Sequence, residues 1–198
     1  MGKVLLLGSG SLDKARELAV LLEGLPVTLR TLQDFDQIEE PVEDGKTFED
    51  NALIKARYYC KQFNVPCVAD DSGLVVDALN GAPGIYSARY AGENRGYLEN
   101  NRKLLAALEG VPMDQRTAHF VCCAAYAAPD GGTHVEEGTV EGRIAAEERG
   151  NNGFGYDPLF IPTGYESTFG ELPPALKHEI SHRARAFAKL KAYLGKWL

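Results

Sequence analysis

Residues 3–22 read KVLLLGSGSLDKARELAVLL, and this stretch decides the fold. Lys3 to Leu7 is an apolar run typical of a buried strand, and it leads directly into a loop of glycine and serine. The apolar residues after the loop recur at the spacing of one helix face, and they are Ala15, Leu18, Ala19 and Leu22. A strand, a small-residue loop and a helix in this order indicate an α/β domain. Because a helix N-terminus presents unpaired N–H groups, this junction suits an anion.

The composition is that of a globular protein. The chain has 198 residues, of which 44% are hydrophobic and 25% are charged. This length suffices for one sizeable core, so we expect a single domain over residues 1–198. The net charge of −7 argues against a broad nucleic-acid surface, because binding to a phosphate backbone needs clustered lysine and arginine. A small polyanion in a local basic pocket stays compatible with this charge.

The start of the chain and its cysteines predict a cytoplasmic protein. The first residues, MGKVLLLGSG, become glycine-rich too soon for a signal-peptide core or a membrane span. The four cysteines show neither metal-knuckle spacing nor a secreted disulfide framework. We therefore expect free thiols, no membrane partner and a reducing compartment.

The rest of the chain alternates between strand and helix patterns. Predicted strands cover residues 27–32, 65–69, 118–127 and 134–146. One helix begins after Thr47, where Asp50 three residues on is typical of a capping box. A second covers 100–108, and a third follows Ser181. One side of that last helix carries Phe187, Leu190, Leu194 and Trp197.

Three carboxylates are candidate metal ligands. Asp70 and Asp71 directly follow the predicted strand 65–69, and ligand sites gather at this end of the strands in open α/β sheets. Glu43 precedes the second helix. Mg²⁺ takes hard oxygen ligands, often one or two protein carboxylates alongside phosphate oxygens. Solvated loop charges are the alternative, although adjacent like charges perturb each other's pKa and so call for a reason.

Three other stretches suit a bound nucleotide. GSGSLDK at 8–14 is neither a Walker loop nor a dinucleotide fingerprint, so a plain tight turn is the alternative to a phosphate loop. GFGYDP at 153–158 sets aromatic rings between glycines, where a flat base could stack. Lys177 and the later Ser-His-Arg at 181–183 offer donors for carbonyl or phosphate oxygens. Core packing of the rings and a surface helix cap are the alternatives for the last two.

Taken together, these stretches resemble the inosine triphosphate pyrophosphatase family, the Ham1-like nucleoside triphosphate pyrophosphatases. The resemblance covers almost the whole chain through SGSLDKARE, GKTFEDNALIKAR, VADDSGLVVDALNGAPGIYSARYAG, GFGYDPLF and KHEISHRARA. It implies an α/β, Ham1/Maf-like fold, with a mixed twisted sheet, flanking helices and two lobes around a central cleft. The implied activity is hydrolysis of purine triphosphates with an aberrant base, such as dITP, ITP and XTP, to the monophosphate and pyrophosphate.

The resemblance also implies roles for individual residues. Asp71 would activate water and, with Glu43, hold Mg²⁺. For Asp70 we expect that it orients the site or assists the metal through water. Phe154 would stack on the purine, and Arg183 would reach its 6-keto oxygen. The full set of implied substrate-binding residues is Ser9, Gly10, Ser11, Leu12, Asp13, Lys14, Lys55, Ser72, Phe154, Gly155, Tyr156, Asp157, Lys177, His182 and Arg183.

One position departs from the family's pattern, and two rival functions stay open. The family usually has Asn three residues before the lysine of its first motif, whereas this chain has Ser11. The rivals are a Maf-like pyrophosphatase that acts on pyrimidine or modified nucleotides and a nucleotide-binding protein without catalysis. A homodimer is expected from the resemblance, and no nucleic-acid partner is expected.

Overall fold

The computed structural model describes residues 3–93 and 96–196, in which strands and helices alternate. The strands are β1 (Lys3–Leu7), β2 (Val27–Thr31), β3 (Cys67–Val76), β4 (Thr117–Ala127), β5 (Thr133–Ile144) and β6 (Phe160–Pro162). The helices are α1 (Leu12–Leu21), α2 (Phe48–Phe63), α3 (Tyr97–Ala107), α4 (Pro174–Ile180) and α5 (His182–Leu194). The expected mixture of helix and strand is therefore present.

The strands pair in the order β2-β1-β3-β4-β5-β6. β1 runs parallel to both β2 and β3, with Leu6 opposite Cys67 in the second pairing. β5 and β6 are antiparallel. Parallel strands need a crossover connection, and here α1 connects β1 to β2 while α2 connects β2 to β3. The sheet is mixed, as the family resemblance implies.

Strand β3 differs from the prediction at the place that matters most. The predicted strand ended at Ala69, so that Asp70 and Asp71 followed it, but β3 continues to Val76 and contains both aspartates. Aspartate is depleted in strands, which is why the pattern ended too early. The cationic partners described below stabilise both carboxylates inside the strand, and this tertiary effect outweighs the local preference.

The helix caps follow the sequence signals. Thr47 accepts a hydrogen bond from the backbone N–H of Asp50, whose side chain accepts from Thr47 in return, so the capping box of α2 is confirmed. The helix expected after Ser181 is α5, although Trp197 lies outside the described residues. Helix α4 was not predicted, because its 7 residues are too few for a periodic pattern.

The chain forms two compact units. The first consists of the segment up to Asp71, Cys122–Gly138 and the segment from Arg183 onward, and the second of Ser72–Val121 and Thr139–His182. The expectation of one domain with two lobes around a cleft stays a prediction. Each unit has an apolar core of its own.

The core of the first unit lies on both faces of its strands. Leu5, Leu7 and Val68 belong to one apolar cluster, which also receives Leu18 of α1 and Phe187 of α5. Leu6, Cys67 and Ala69 belong to another, which receives Ala52 and Ala56 of α2. Membership alternates along β1 and β3, as side chains alternate along any strand.

The second unit is built around aromatic rings. Phe120 lies 4.6 Å from Phe160 between ring centroids, and Phe160 lies 5.4 Å from Phe169. Leu74, Leu104 and other buried apolar residues complete this core. Rings of this size bury large areas, so a few of them suffice to hold a small unit together.

All four cysteines are buried and free. Burial raises the pKa of Cys60, and it raises that of Cys123 to about 12. The prediction of free thiols is thus confirmed. Across residues 3–93 and 96–196, no helix combines the length and apolar character that crossing a membrane requires.

Helix α1 allows a direct test of its inward face. Leu18 is fully buried, whereas Val20 on the same helix is 49% exposed. We expect Leu18→Ala to lower the free energy of unfolding in urea by about 2–5 kcal/mol, because it leaves a cavity. Val20→Ala should change it by less than about 0.5 kcal/mol. Equal losses in the two variants would contradict this packing.

Candidate active site

Asp71 lies at the centre of a buried cluster of polar side chains. Its carboxylate accepts hydrogen bonds from Lys55 Nζ at 3.0 Å and from Asn51 Nδ2 at 3.4 Å. The same ammonium donates to Glu43 Oε2 at 2.7 Å. Lys55 and Asn51 lie one turn apart on α2, so one helix face supplies both donors. Two of the three predicted carboxylates therefore converge on one cation.

The charges in this cluster favour a basic carboxylate beside a permanent cation. Burial raises the pKa of Asp71, although the Lys55 ammonium opposes that rise. Burial also disfavours the charged form of Lys55, but Asp71 and Glu43 outweigh it and raise the lysine pKa. Lys55 is thus charged at neutral pH, and Asp71 binds a proton more readily than an exposed aspartate.

Asp70 belongs to a second cluster, on the other face of β3. Its Oδ2 lies 3.3 Å from Lys14 Nζ and accepts hydrogen bonds from Nε and Nη2 of Arg183 at 3.3 and 3.2 Å. Arg183 Nη1 donates to Glu17 at 2.7 Å. Burial disfavours the charged guanidinium, but Asp70 and Glu17 together raise the pKa of Arg183. The cluster is a network of two cations and two carboxylates, in which Lys14 alone is partly exposed.

The loop between β1 and α1 places Lys14 in this network. Ser11 caps α1, since its hydroxyl accepts a hydrogen bond from the backbone N–H of Lys14 at 3.4 Å. Ser9 stabilises the same turn, where its Oγ accepts from the backbone N–H of Ser11. Leu12 is 51% exposed, and Asp13 forms an exposed ion pair with Arg16 on the helix surface. The serine at the family's asparagine position therefore serves as a helix cap.

A third cluster, in the second unit, holds the aromatic loop 153–157. Asp157 Oδ2 accepts hydrogen bonds from Phe154 N at 2.8 Å and from Lys177 Nζ at 2.6 Å. The Lys177 ammonium also lies 4.6 Å from the centroid of the Phe154 ring. Asp157 and Lys177 are both buried, so this ion pair fixes the loop on its buried side. Phe154 is partly exposed, as a stacking platform requires.

The remaining predicted residues of the second unit are mostly buried. The Tyr156 hydroxyl donates to the carbonyl of Ser87 at 2.8 Å, so this ring packs into the core as the alternative interpretation supposed. The His182 ring stacks on Phe120 at 4.6 Å. Ser72 lies half-buried in β3, directly after Asp71. Tyr156 thus belongs to the core of the second unit, and His182 packs on Phe120 of the same core.

Sequence reasoning missed three polar residues that the clusters contain. Asn51 was visible as a neighbour of Lys55 on one helix face, and Glu17 follows Lys14 at helical spacing. Asn101 gave no such signal, because its partner, the carbonyl of Gly155 at 3.2 Å, is 54 residues away in sequence. Only the tertiary structure reveals that contact.

Among the described residues, no group of three or more His, Cys, Asp or Glu side chains is gathered as metal ligands. Glu43 and Asp71 form a pair around one positive centre, the Lys55 ammonium. A pair of carboxylates fits Mg²⁺, which commonly takes only one or two from the protein and completes its shell with water and phosphate oxygens.

Two glycines of the aromatic loop give a matched test of its backbone. Gly153 has φ +72° and Gly155 has φ +64°, so alanine is strained at both. A Cβ at Gly153 would also overlap the Asp157 carboxylate, whereas one at Gly155 has no atom within 4 Å. We expect Gly155→Ala to cost about 1 kcal/mol of unfolding free energy in urea, and Gly153→Ala clearly more. A smaller loss at Gly153 would contradict the close approach of Asp157.

The chain is similar to known proteins over almost its whole length. The Ham1 family model matches residues 5–193. A dITP/XTP pyrophosphatase of Geobacter sulfurreducens is 52% identical over 182 residues, which are 92% of each chain. One from Bacillus cereus is 44% identical over 98% of this chain and 96% of its own. The solved Ham1 protein of Staphylococcus aureus superposes with a TM-score of 0.87 at 39% identity, covering 99% of this chain and 100% of that one. The chain belongs to the Ham1 family.

Proposed function

We propose that this protein hydrolyses nucleoside triphosphates that carry an aberrant purine, such as dITP, ITP and XTP, to the monophosphate and pyrophosphate. The observation that carries the proposal is the cluster of the half-buried Glu43 with the buried Lys55 and Asp71, in which the Lys55 ammonium lies 3.0 Å from the Asp71 carboxylate, whose pKa is raised by burial. The names of the related Geobacter and Bacillus proteins support the substrate class. Such an activity removes aberrant nucleotides from the nucleotide pool.

Two lysines and the first loop are proposed to bind the triphosphate. Lys14 and Lys55 each form an ion pair with a buried carboxylate, so both ammonium groups are already in position before the substrate binds. The loop of Ser9, Gly10 and Ser11 ends at the N-terminus of α1, where backbone N–H groups favour negative charge. Phosphoryl transfer depends mainly on positioning and charge stabilisation, which these groups supply.

Asp71 is proposed to accept the proton of the attacking water. A general base works best when its pKa is close to the working pH, and burial shifts that of Asp71 in this direction. Attack on the α-phosphorus forms the new P–O bond as the bond to the bridging oxygen breaks, and pyrophosphate leaves. Lys55 and Asn51 orient the carboxylate, while Asp70 on the other face holds Lys14.

Mg²⁺ is the proposed cofactor, held by Glu43 and Asp71. These carboxylates already share one cationic partner, and their oxygens are of the hard type that Mg²⁺ prefers. When bound with the substrate, the ion supplies charge neutralisation for phosphate oxygens. The two lysines contribute to the same neutralisation from the protein.

The base is proposed to stack on Phe154, and Arg183 to donate to its 6-keto oxygen. Gly155, Tyr156 and Asp157 are proposed to shape the wall of the base pocket next to Phe154, and Lys177 and His182 to read the base together with Arg183. Asp70 and Glu17 keep the Arg183 guanidinium charged and fixed. A fixed donor favours a keto oxygen and leaves a hydrogen bond unmade when adenine presents an amino group.

The assembly is proposed from the family resemblance, and the cellular location from the free cysteines. A homodimer and a cytoplasmic protein are the expected states, with no nucleic acid or membrane as a partner.

The first test of the activity is release of pyrophosphate from dITP in the presence of Mg²⁺. We expect Asp71→Asn to lower kcat by about 10²- to 10⁴-fold, the usual contribution of a general base. Asp44→Asn, in the same loop as Glu43 but exposed, is the control and should retain wild-type kcat. Full activity of Asp71→Asn would remove Asp71 as the base, and wild-type turnover of dUTP instead of dITP would favour a Maf-like activity.

Base selectivity tests the proposed role of Arg183. We expect Arg183→Ala to lower the ratio of kcat/KM for dITP to that for dATP by about 5- to 150-fold, because the discriminating donor is lost. The ratio does not depend on how much of the variant folds, since both substrates meet the same active fraction. Arg185→Ala, an exposed arginine on the same helix, should keep the wild-type ratio. An unchanged ratio in Arg183→Ala would exclude this role.

A further inference from the structure

A second aromatic ring lies beside the proposed base platform. Tyr97 is the first residue of α3, and its ring centroid is 6.0 Å from that of Phe154, with 36° between the ring planes. Tyr97 is 45% exposed, so a large part of its side chain faces solvent. Its position is therefore not explained by burial in the core.

The backbone holds the two rings in a fixed relation. Asn101 follows Tyr97 by four residues on α3 and thus lies on the same helix face. Its Nδ2 donates to the carbonyl of Gly155, the residue next to Phe154, at 3.2 Å, and Asn101 is buried. The hydrogen bond ties the start of α3 to the aromatic loop, so the spacing of the two rings belongs to the fold.

The Lys177 ammonium on one face of the Phe154 ring limits where a base can stack. The Lys177 ammonium lies over one face of the Phe154 ring at 4.6 Å from its centroid, and Asp157 holds it there. A purine that stacks on Phe154 would therefore use the other face. Tyr97 provides apolar ring surface adjacent to Phe154, and the wide bicyclic purine has more area than one phenyl ring covers.

We propose that Tyr97 is a further base-binding residue, whose ring extends the stacking surface of Phe154 under the purine. This inference deepens the proposed function and rests on it. Stacking does not depend on the donors and acceptors of the base, so Tyr97 contributes affinity for purines in general and leaves the choice between keto and amino bases to other residues. The base stays in place during hydrolysis, so the contact acts equally on the bound substrate and the transition state. A contact of this kind changes KM and leaves kcat unchanged.

The test compares Tyr97→Ala with Leu98→Ala. Leu98 is adjacent on α3 and 47% exposed, so it matches Tyr97 in position and exposure. We expect Tyr97→Ala to raise KM for both dITP and XTP by about two- to tenfold, the range of an aromatic pair, with kcat unchanged. Tyr97→Phe should keep the wild-type KM, and so should Leu98→Ala. An unchanged KM in Tyr97→Ala, or an equal rise in Leu98→Ala, would overturn the proposal.

A second comparison separates direct stacking from mere support of Phe154. In a Phe154→Ala background, Tyr97→Ala should weaken binding further if the Tyr97 ring contacts the base. No further loss would overturn direct contact and make Tyr97 a positioning residue.

Calorimetric binding of inosine monophosphate keeps this test apart from the proposed activity. If wild type fails to hydrolyse dITP, the proposed function falls, and the affinities of wild type and Tyr97→Ala for inosine monophosphate still decide the role of Tyr97. Weaker binding in Tyr97→Ala supports a base site, whereas equal or undetectable binding in both proteins overturns it.

Discussion

The structure depends on two adjacent aspartates that one strand directs to opposite faces. Asp70 meets Lys14 and Arg183, and Asp71 meets Lys55 and Asn51. A buried carboxylate without a partner is costly, so each must have a cation on its own face. The elements that carry these partners, α1, α2 and α5, are therefore fixed against the strands of the first unit by charge as well as by apolar packing.

The proposed chemistry follows from the placement of the two aspartates on opposite faces of β3. One face of β3 brings together the carboxylates and the lysine suited to water activation, and the other holds the lysine of the first loop. In the second unit, the ion pair of Asp157 and Lys177 plays a comparable part for Phe154, because it fixes a loop that contains no regular element. In each case, buried charge positions a group that a substrate could use.

Much of this could be predicted from the sequence, and the exceptions have a common cause. The β1 strand, the cap at Thr47 and the helix after Ser181 follow local rules of periodicity and capping, and the structure agrees with all of them. The predicted end of β3 was wrong. The low preference of aspartate for strands is a local signal, whereas Asp70 and Asp71 are stabilised in β3 by cations from other parts of the chain. Arg183 and Glu17 are 166 residues apart in sequence, so no pattern could pair them. The role of Tyr156 in shaping the base pocket stays a prediction, and no local pattern indicates that its hydroxyl donates to the carbonyl of Ser87, 69 residues away.

Because Asp70 and Asp71 point to opposite faces of β3, they also fix the register of this strand. If β3 slipped by one residue in one direction, Ser72 would replace Asp71 beside Lys55. In the other direction, Ala69 would replace Asp70 beside Arg183. Either slip leaves a buried cation without its carboxylate, and it also exchanges the apolar residues of the two faces. An insertion or deletion of a single residue early in this strand would therefore be tolerated far less well than most substitutions. Each of the two aspartates reaches its cationic partner only when β3 pairs with β1 in the native register.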